Sequence, residues 1–145
     1  MQKITPCLWF DHEGKEAATF YCNLFPDSKL ISSSPLITEF QLCGNQFMAL
    51  NGGPKFQFTE AVSFSVSCKD QEEVDHYWFS LIADGGEESM CGWLKDKYGL
   101  SWQIVPIQFI ELMSTGTENQ KKKLMEKLFT MRRIIIQDLQ AAYNS

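Results

Sequence analysis

Cys91-Gly92-Trp93-Leu94-Lys95-Asp96-Lys97-Tyr98-Gly99-Leu100-Ser101-Trp102-Gln103-Ile104-Val105-Pro106 is the stretch on which the reading of this chain turns. It is expected to form two short strands, 91–95 and 101–105, around the turn Asp96-Lys97-Tyr98-Gly99. An aspartate hydrogen-bonds the backbone at the start of such a turn, and a glycine takes the positive-φ position that closes it. The strands carry two tryptophans, a cysteine and one amide, Gln103. A buried amide needs partners, so Gln103 is either a satisfied core residue or a ligand-facing one.

Upstream of this hairpin the elements repeat. Ile4 to Phe10 is a strand candidate, followed by a helix from Asp11 or His12 to about Phe25, with Pro26 as its stop. Three strand-like runs follow at about 29–36, 38–43 and 46–51, the last two joined by a hairpin turn at Gly44-Asn45. After Gly52-Gly53-Pro54 the order begins again. Ala61–Cys68 alternates as a strand, and Asp70 with Glu73 resembles a capping box. Val74, Tyr77, Trp78, Leu81 and Ile82 then form a helix face that Gly85-Gly86 ends. A short strand near Glu87 precedes the hairpin. Ala17, Phe20, Tyr21 and Leu24 correspond to Val74, Tyr77, Trp78 and Leu81, each 57 positions on.

Each repeat is therefore a βαβββ unit, whose helix covers one face of its sheet and leaves the other needing a partner. The expected fold is α+β: one domain of paired βαβββ modules, about 1–54 and 61–106, enclosing a shared cleft, with a C-terminal helical tail at about 117–143. In that tail Thr117 and Gln120 form a capping box, opening a helix to about Met131. Ile134-Ile135-Ile136 weakens helix through its β-branches, and a second short helix is expected over 137–143.

Charge and composition narrow the function. A net charge of −5 and a pI near 5 argue against nucleic acid or anionic membrane as a main partner. The run Lys121-Lys122-Lys123 lies among Glu118 and Glu126 and reads as a solvated helix face. No stretch approaches a membrane span. Five cysteines with no CxxC pair and no export signal imply reduced thiols and a cytoplasmic location.

Several strings carry a resemblance. Ile4-Thr5-Pro6-Cys7-Leu8-Trp9-Phe10-Asp11, Phe20-Tyr21, Leu50-Asn51-Gly52-Gly53-Pro54, Gln71-Glu72-Glu73-Val74-Asp75 and the two strands of the opening stretch resemble the PhnB-like family of the glyoxalase/bleomycin-resistance/dioxygenase (vicinal oxygen chelate) superfamily. Its members often carry the label "3-demethylubiquinone 3-methyltransferase". Met131-Arg132-Arg133-Ile134 with Leu139 and Ala141-Ala142 also looks like that family's end. In similar chains an aspartate stands where this one has Ile135, which leaves the final helix without that cap.

The resemblance implies where a metal would sit. Superfamily members that use one hold it with histidines or carboxylates on the first and last strands of each module. Those positions fall here on Pro6 or Thr5, Met48 or Ala49, Ser63 and Gln103, none of which is a strong donor. His12 lies in a loop and His76 on the solvent side of its helix. No metal and no cofactor are therefore expected.

Other chemistry has as little support. Gly52-Gly53 precedes no helix and Gly85-Gly86 ends one, so neither makes the glycine-rich turn of a common S-adenosylmethionine site. Cys91 has no evident base, and Asp96, Glu87 and Glu88 are expected in solvent. What remains is a cleft walled by Met48, Ser63, Cys91, Trp93 and Gln103, with Leu8, Phe10 and Ser101 next. The expected function is binding of a small aromatic or apolar molecule in that metal-free cleft by a homodimer. The competing reading is a metal-independent methyltransferase acting on a quinone-like substrate. Whether the chain is an enzyme stays open on the sequence.

Overall fold

The computed structural model describes residues 2–145, which form two compact units, one up to Phe58 and one from Thr59 to Ser145. The first contains β1 (Cys7–Phe10), α1 (Gly14–Leu24), β2 (Lys29–Ser33), β3 (Ile37–Leu42) and β4 (Asn45–Asn51). Its sheet runs β1-β4-β3-β2, with β1 parallel to β4 and the other pairs antiparallel. Strand alternation puts Leu8, Phe10, Thr38, Phe40 and Ala49 on one face, all nearly inaccessible. α1 lays Ala17, Ala18 and Tyr21 on that face. A Cβ on Gly14 would meet Ala49 and Asn51, so the helix begins where only glycine fits. Asn51 accepts the Gly14 N–H at 2.8 Å, which anchors the start of α1 from outside the helix.

Several expected boundaries shift in this unit, and β2 ends at Ser33 rather than near Leu36. The first strand starts at Cys7 rather than Ile4, and α1 starts at Gly14 rather than at Asp11 or His12. The β3–β4 turn is Cys43-Gly44, one position before the expected Gly44-Asn45. Both turn residues have positive φ (50° and 80°), the geometry that matches strand twist in a two-residue hairpin, and Asn45 pairs with Leu42.

The second unit repeats the order: β5 (Ser63–Cys68), α2 (Gln71–Ile82), β6 (Glu87–Glu88), β7 (Trp93–Lys95) and β8 (Ser101–Pro106), arranged β5-β8-β7-β6. The two sheets thus have the same topology. Asp70 caps α2, accepting the Glu73 N–H at 2.9 Å. Val74, Tyr77, Trp78 and Leu81 are the buried residues of α2, each worth about 1.5–3 kcal/mol where it is a large apolar side chain.

The tail has three helices where two were expected: α3 (Ile107–Thr115), α4 (Glu118–Leu128) and α5 (Ile136–Tyr143). α3 follows β8 directly. Its Phe109, Leu112 and Met113 stand at helical spacing and pack on a cluster of Leu124, Leu128, Met131, Ile134 and Leu139. The Thr117–Gln120 capping box forms as read, with both reciprocal hydrogen bonds. Ile135 gives α5 no side-chain cap. Gln71 of α2 supplies one instead: its Oε1 accepts the Ile136 N–H at 2.8 Å and its Nε2 donates to the Ile134 carbonyl at 3.0 Å.

Candidate functional site

The β7–β8 hairpin is built on Asp96. Its Oδ1 accepts the N–H groups of Tyr98 (2.9 Å) and Leu100 (3.1 Å), and its Oδ2 accepts the Trp102 indole N–H at 2.9 Å. Gly99 closes the turn at φ 86°. Asp96 was expected in solvent, but it is 2 % exposed. Three donors replace the water that a buried carboxylate would lose. The aspartate thereby fixes Trp102 on one side of the sheet and leaves the alternate positions on the other.

Those alternate positions form the candidate site. Trp102, Ile104, Leu94, Val66 and Cys68 share the face that α2 covers. The opposite face carries Ser63, Ser65 and Ser67 of β5, Ser101 and Gln103 of β8, and Trp93 and Lys95 of β7. Gln103 lies beside Trp93 in the strand register and donates to the Ser63 Oγ at 3.0 Å. Ser101, at 1 % exposure, has a hydroxyl with no hydrogen-bond partner among the described residues. A depression of about 170 Å³ opens beside it, bounded by Trp93, Lys95, Glu60 and Glu87. Lys95 and Glu60 form an ion pair that holds the Lys95 ammonium above its ordinary pKa and the Glu60 carboxyl below its own.

Gln103, Ser63 and Trp93 share one face of the sheet, Gln103 bonded to Ser63 and opposite Trp93 in register. Of the other two candidates, Cys91 is in the second unit and Met48 in the first. Cys91 adopts positive φ (62°), its N–H donates to the Met131 carbonyl at 2.8 Å, and its side chain packs on the tail cluster. Met48 belongs to the first unit, beside Cys7 and Glu39 on the face away from α1. Leu8 and Phe10, the outer candidates, are in the core under α1. Glu88 is not simply solvated, because its Oε2 accepts the buried Trp78 indole N–H at 2.7 Å. Lys95 was overlooked, although its spacing of two from Trp93 puts both on one face.

The donor set for a metal does not fit. At the position of a strong ligand stands an amide whose N–H₂ is engaged by Ser63. Among the described residues no three His, Cys, Asp or Glu side chains come together to hold an ion. His12 and His76 are both exposed. The glycine pairs have conformational reasons of their own. The Trp9 indole fills the space a Gly52 Cβ would need and donates to the Gly53 carbonyl at 2.9 Å, while Gly53 and Gly85 adopt positive φ. Among the thiols, Cys68 is the most perturbed: burial, with Glu73 and Asp70 adding to it, pushes its pKa up to about 12. A thiol held neutral in this way is no nucleophile.

Two βαβββ units with this strand order define the vicinal oxygen chelate class of fold. The PhnB protein of Bacillus cereus, labelled a 3-demethylubiquinone-9 3-methyltransferase, is 33% identical and superposes with a TM-score of 0.66 over 72% of this chain and 99% of its own. A glyoxalase-related enzyme from Fulvimarina pelagi (15% identity, TM-score 0.52, 72% and 88% of the two chains) shares the fold. So does the fosfomycin resistance protein FosX of Listeria monocytogenes, solved with Mn(II) and sulfate (19%, 0.55, 73% and 91%). Among curated proteins none matches. The 3-demethylubiquinone-9 3-methyltransferase family matches residues 2–105, and the chain belongs to this PhnB-like family. The match ends before the tail, whose 131–142 strings were also read as family-like. No helix among the described residues is long and apolar enough to cross a membrane.

Proposed function

We propose that the protein binds a small aromatic or apolar molecule without a metal, on the face of the second sheet opposite α2. The observation that carries this reading is the grouping of a half-buried tryptophan, Trp93, with the Gln103–Ser63 pair and the unpartnered Ser101 hydroxyl beside a depression. An aromatic wall with a few convergent polar groups is the usual composition of a small-molecule site. A buried hydroxyl without a partner costs about 1–3 kcal/mol, which a ligand polar group offsets. Met48, and Cys91 with its side chain on the tail cluster, are outside this proposal.

The test is thermal stabilisation by a panel of small aromatic compounds. A ligand at a hundredfold its Kd adds about 2.7 kcal/mol to the folded state. Trp93→Ala and Gln103→Leu are expected to abolish that shift, measured for each variant against its own unliganded melt. Stabilisation that survives both substitutions would place the site elsewhere.

The label shared with the Bacillus cereus relative favours one other reading, methyl transfer to a quinone-like substrate without a metal. Saturable S-adenosylmethionine binding with methylated product would establish it over simple binding. The proposal takes the protein as a cytoplasmic homodimer. The absence of disulfides among its five cysteines supports a reducing compartment, and the exposed Ile107 and Ile110 of α3 support self-association. Sedimentation showing only monomer at micromolar concentration would refute the dimer.

A further inference from the structure

We infer that the depression beside Ser101 takes a small organic cation, a protonated amine carried on a planar or apolar body. This inference rests on the ligand-binding reading above and names the ligand's charge. Charge decides the class. Glu60 and Glu87 both face Lys95, Glu60 as its ion-pair partner and Glu87 as its cross-strand neighbour. Two carboxylates against one ammonium leave one negative charge at the rim. Glu87 adds to the field that stabilises the charged lysine, in keeping with its position. Glu88 also bounds the depression; its carboxylate accepts the Trp78 indole N–H, a neutral donor that leaves its negative charge in place.

The remaining features agree with a cation. Tryptophan is the side chain whose ring face attracts cations most strongly, and Trp93 walls the depression. Ser101, 1 % exposed, lines the depression, and its unpartnered hydroxyl is the nearby acceptor for an ammonium N–H. A volume of about 170 Å³ is on the scale of a cavity that holds benzene. An anion fits poorly, because the lysine that would receive it is already paired. A divalent metal ion also fits poorly: it needs several oxygen ligands close together, and here an ammonium group stands between the carboxylates. An incoming amine therefore takes the charge of Glu87 and competes with Lys95 for Glu60.

Titration calorimetry with benzylamine, benzyl alcohol, benzoate and Mn²⁺ separately tests this at neutral pH. Benzylamine is expected to bind at least ~10-fold tighter than benzyl alcohol, the equivalent of one favourable charge contact. Glu87→Gln, at an exposed position where folding is not at stake, is expected to weaken benzylamine about 5-fold without affecting benzyl alcohol. Lys95→Met removes the competitor and is expected to tighten benzylamine about 3-fold. Benzoate binding as well as benzylamine, Mn²⁺ binding in preference to it, or an unchanged affinity in Glu87→Gln would overturn the inference. If benzyl alcohol binds as tightly as benzylamine and both are lost in Gln103→Leu, this inference falls and the binding site stands. If none of the organic probes binds, both fall.

Discussion

Asp96 illustrates how one residue sets the chemistry available to its neighbours. Read along the chain it is an ordinary turn aspartate. Its burial comes from a donor six residues away, the Trp102 indole, which no local pattern announces. Removing the carboxylate takes away the acceptor that the indole and two backbone N–H groups share. Asp96→Ala is expected to cost about 3 kcal/mol or more of unfolding free energy, measured by urea denaturation, with Trp102 fluorescence shifted toward that of a solvated indole. Cys68 gives a second prediction at this scale. Burial pushes its pKa up to about 12, above the ordinary value of 9.0 for a free thiol. Between those values the unfolded state loses a proton that the folded state keeps, so stability falls as pH rises from about 9 to about 12 and is unaffected below. Cys68→Ser is expected to remove this alkaline component from the pH profile of the unfolding midpoint. At pH 8, thiol labelling of the folded protein is expected to reach Cys7 and Cys43 and to spare Cys68, which is inaccessible.

Among the elements, α5 departs most clearly from self-sufficient helix design. Ile135 stands at its N-cap and provides no acceptor, and the side chain of Gln71 provides it from α2. The same amide donates to Asp75, which also pairs with Arg133, so the start of α5 is tied to α2 through one small polar group. Gln71→Leu is expected to cost about 1–2 kcal/mol, within the range for loss of a cap. Hydrogen exchange should show the loss in residues 134–143, with α4, which keeps its own capping box, retaining protection. Uniform loss across α4 and α5 would mean that packing, not the cap, holds α5. The missing local cap was legible in the sequence. Its replacement was not, because the donor and acceptor are more than sixty positions apart. α3 was legible in principle: Phe109, Leu112 and Met113 have helical spacing, but the stretch after Pro106 carries no capping side chain to draw attention to it.

For the molecule as a whole, the repeated βαβββ order could be read because each helix has a strong apolar period and each strand a strict alternation. Of the four correspondences, Ala17 with Val74 and Tyr21 with Trp78 are fully buried pairs of equivalent positions, whereas Phe20 and Leu24 are only partly buried where Tyr77 and Leu81 are buried. The site was legible only in part. Alternation placed Gln103 opposite Trp102 and beside Trp93 in register. It did not foresee the placement of Cys91, where the successive positive-φ residues Cys91 and Gly92 interrupt the strand and the side chain packs on the tail cluster.

The central claim is that the face opposite α2 is the ligand surface while the α2 face is core. Nuclear magnetic resonance of the side-chain amides and indoles during a benzylamine titration tests it directly. The account predicts shifts at the Gln103 amide and the Trp93 indole, with the Trp102 and Trp78 indoles, bonded to Asp96 and Glu88, unmoved. Saturable shifts at Trp102 or Trp78 with Gln103 and Trp93 silent would contradict it.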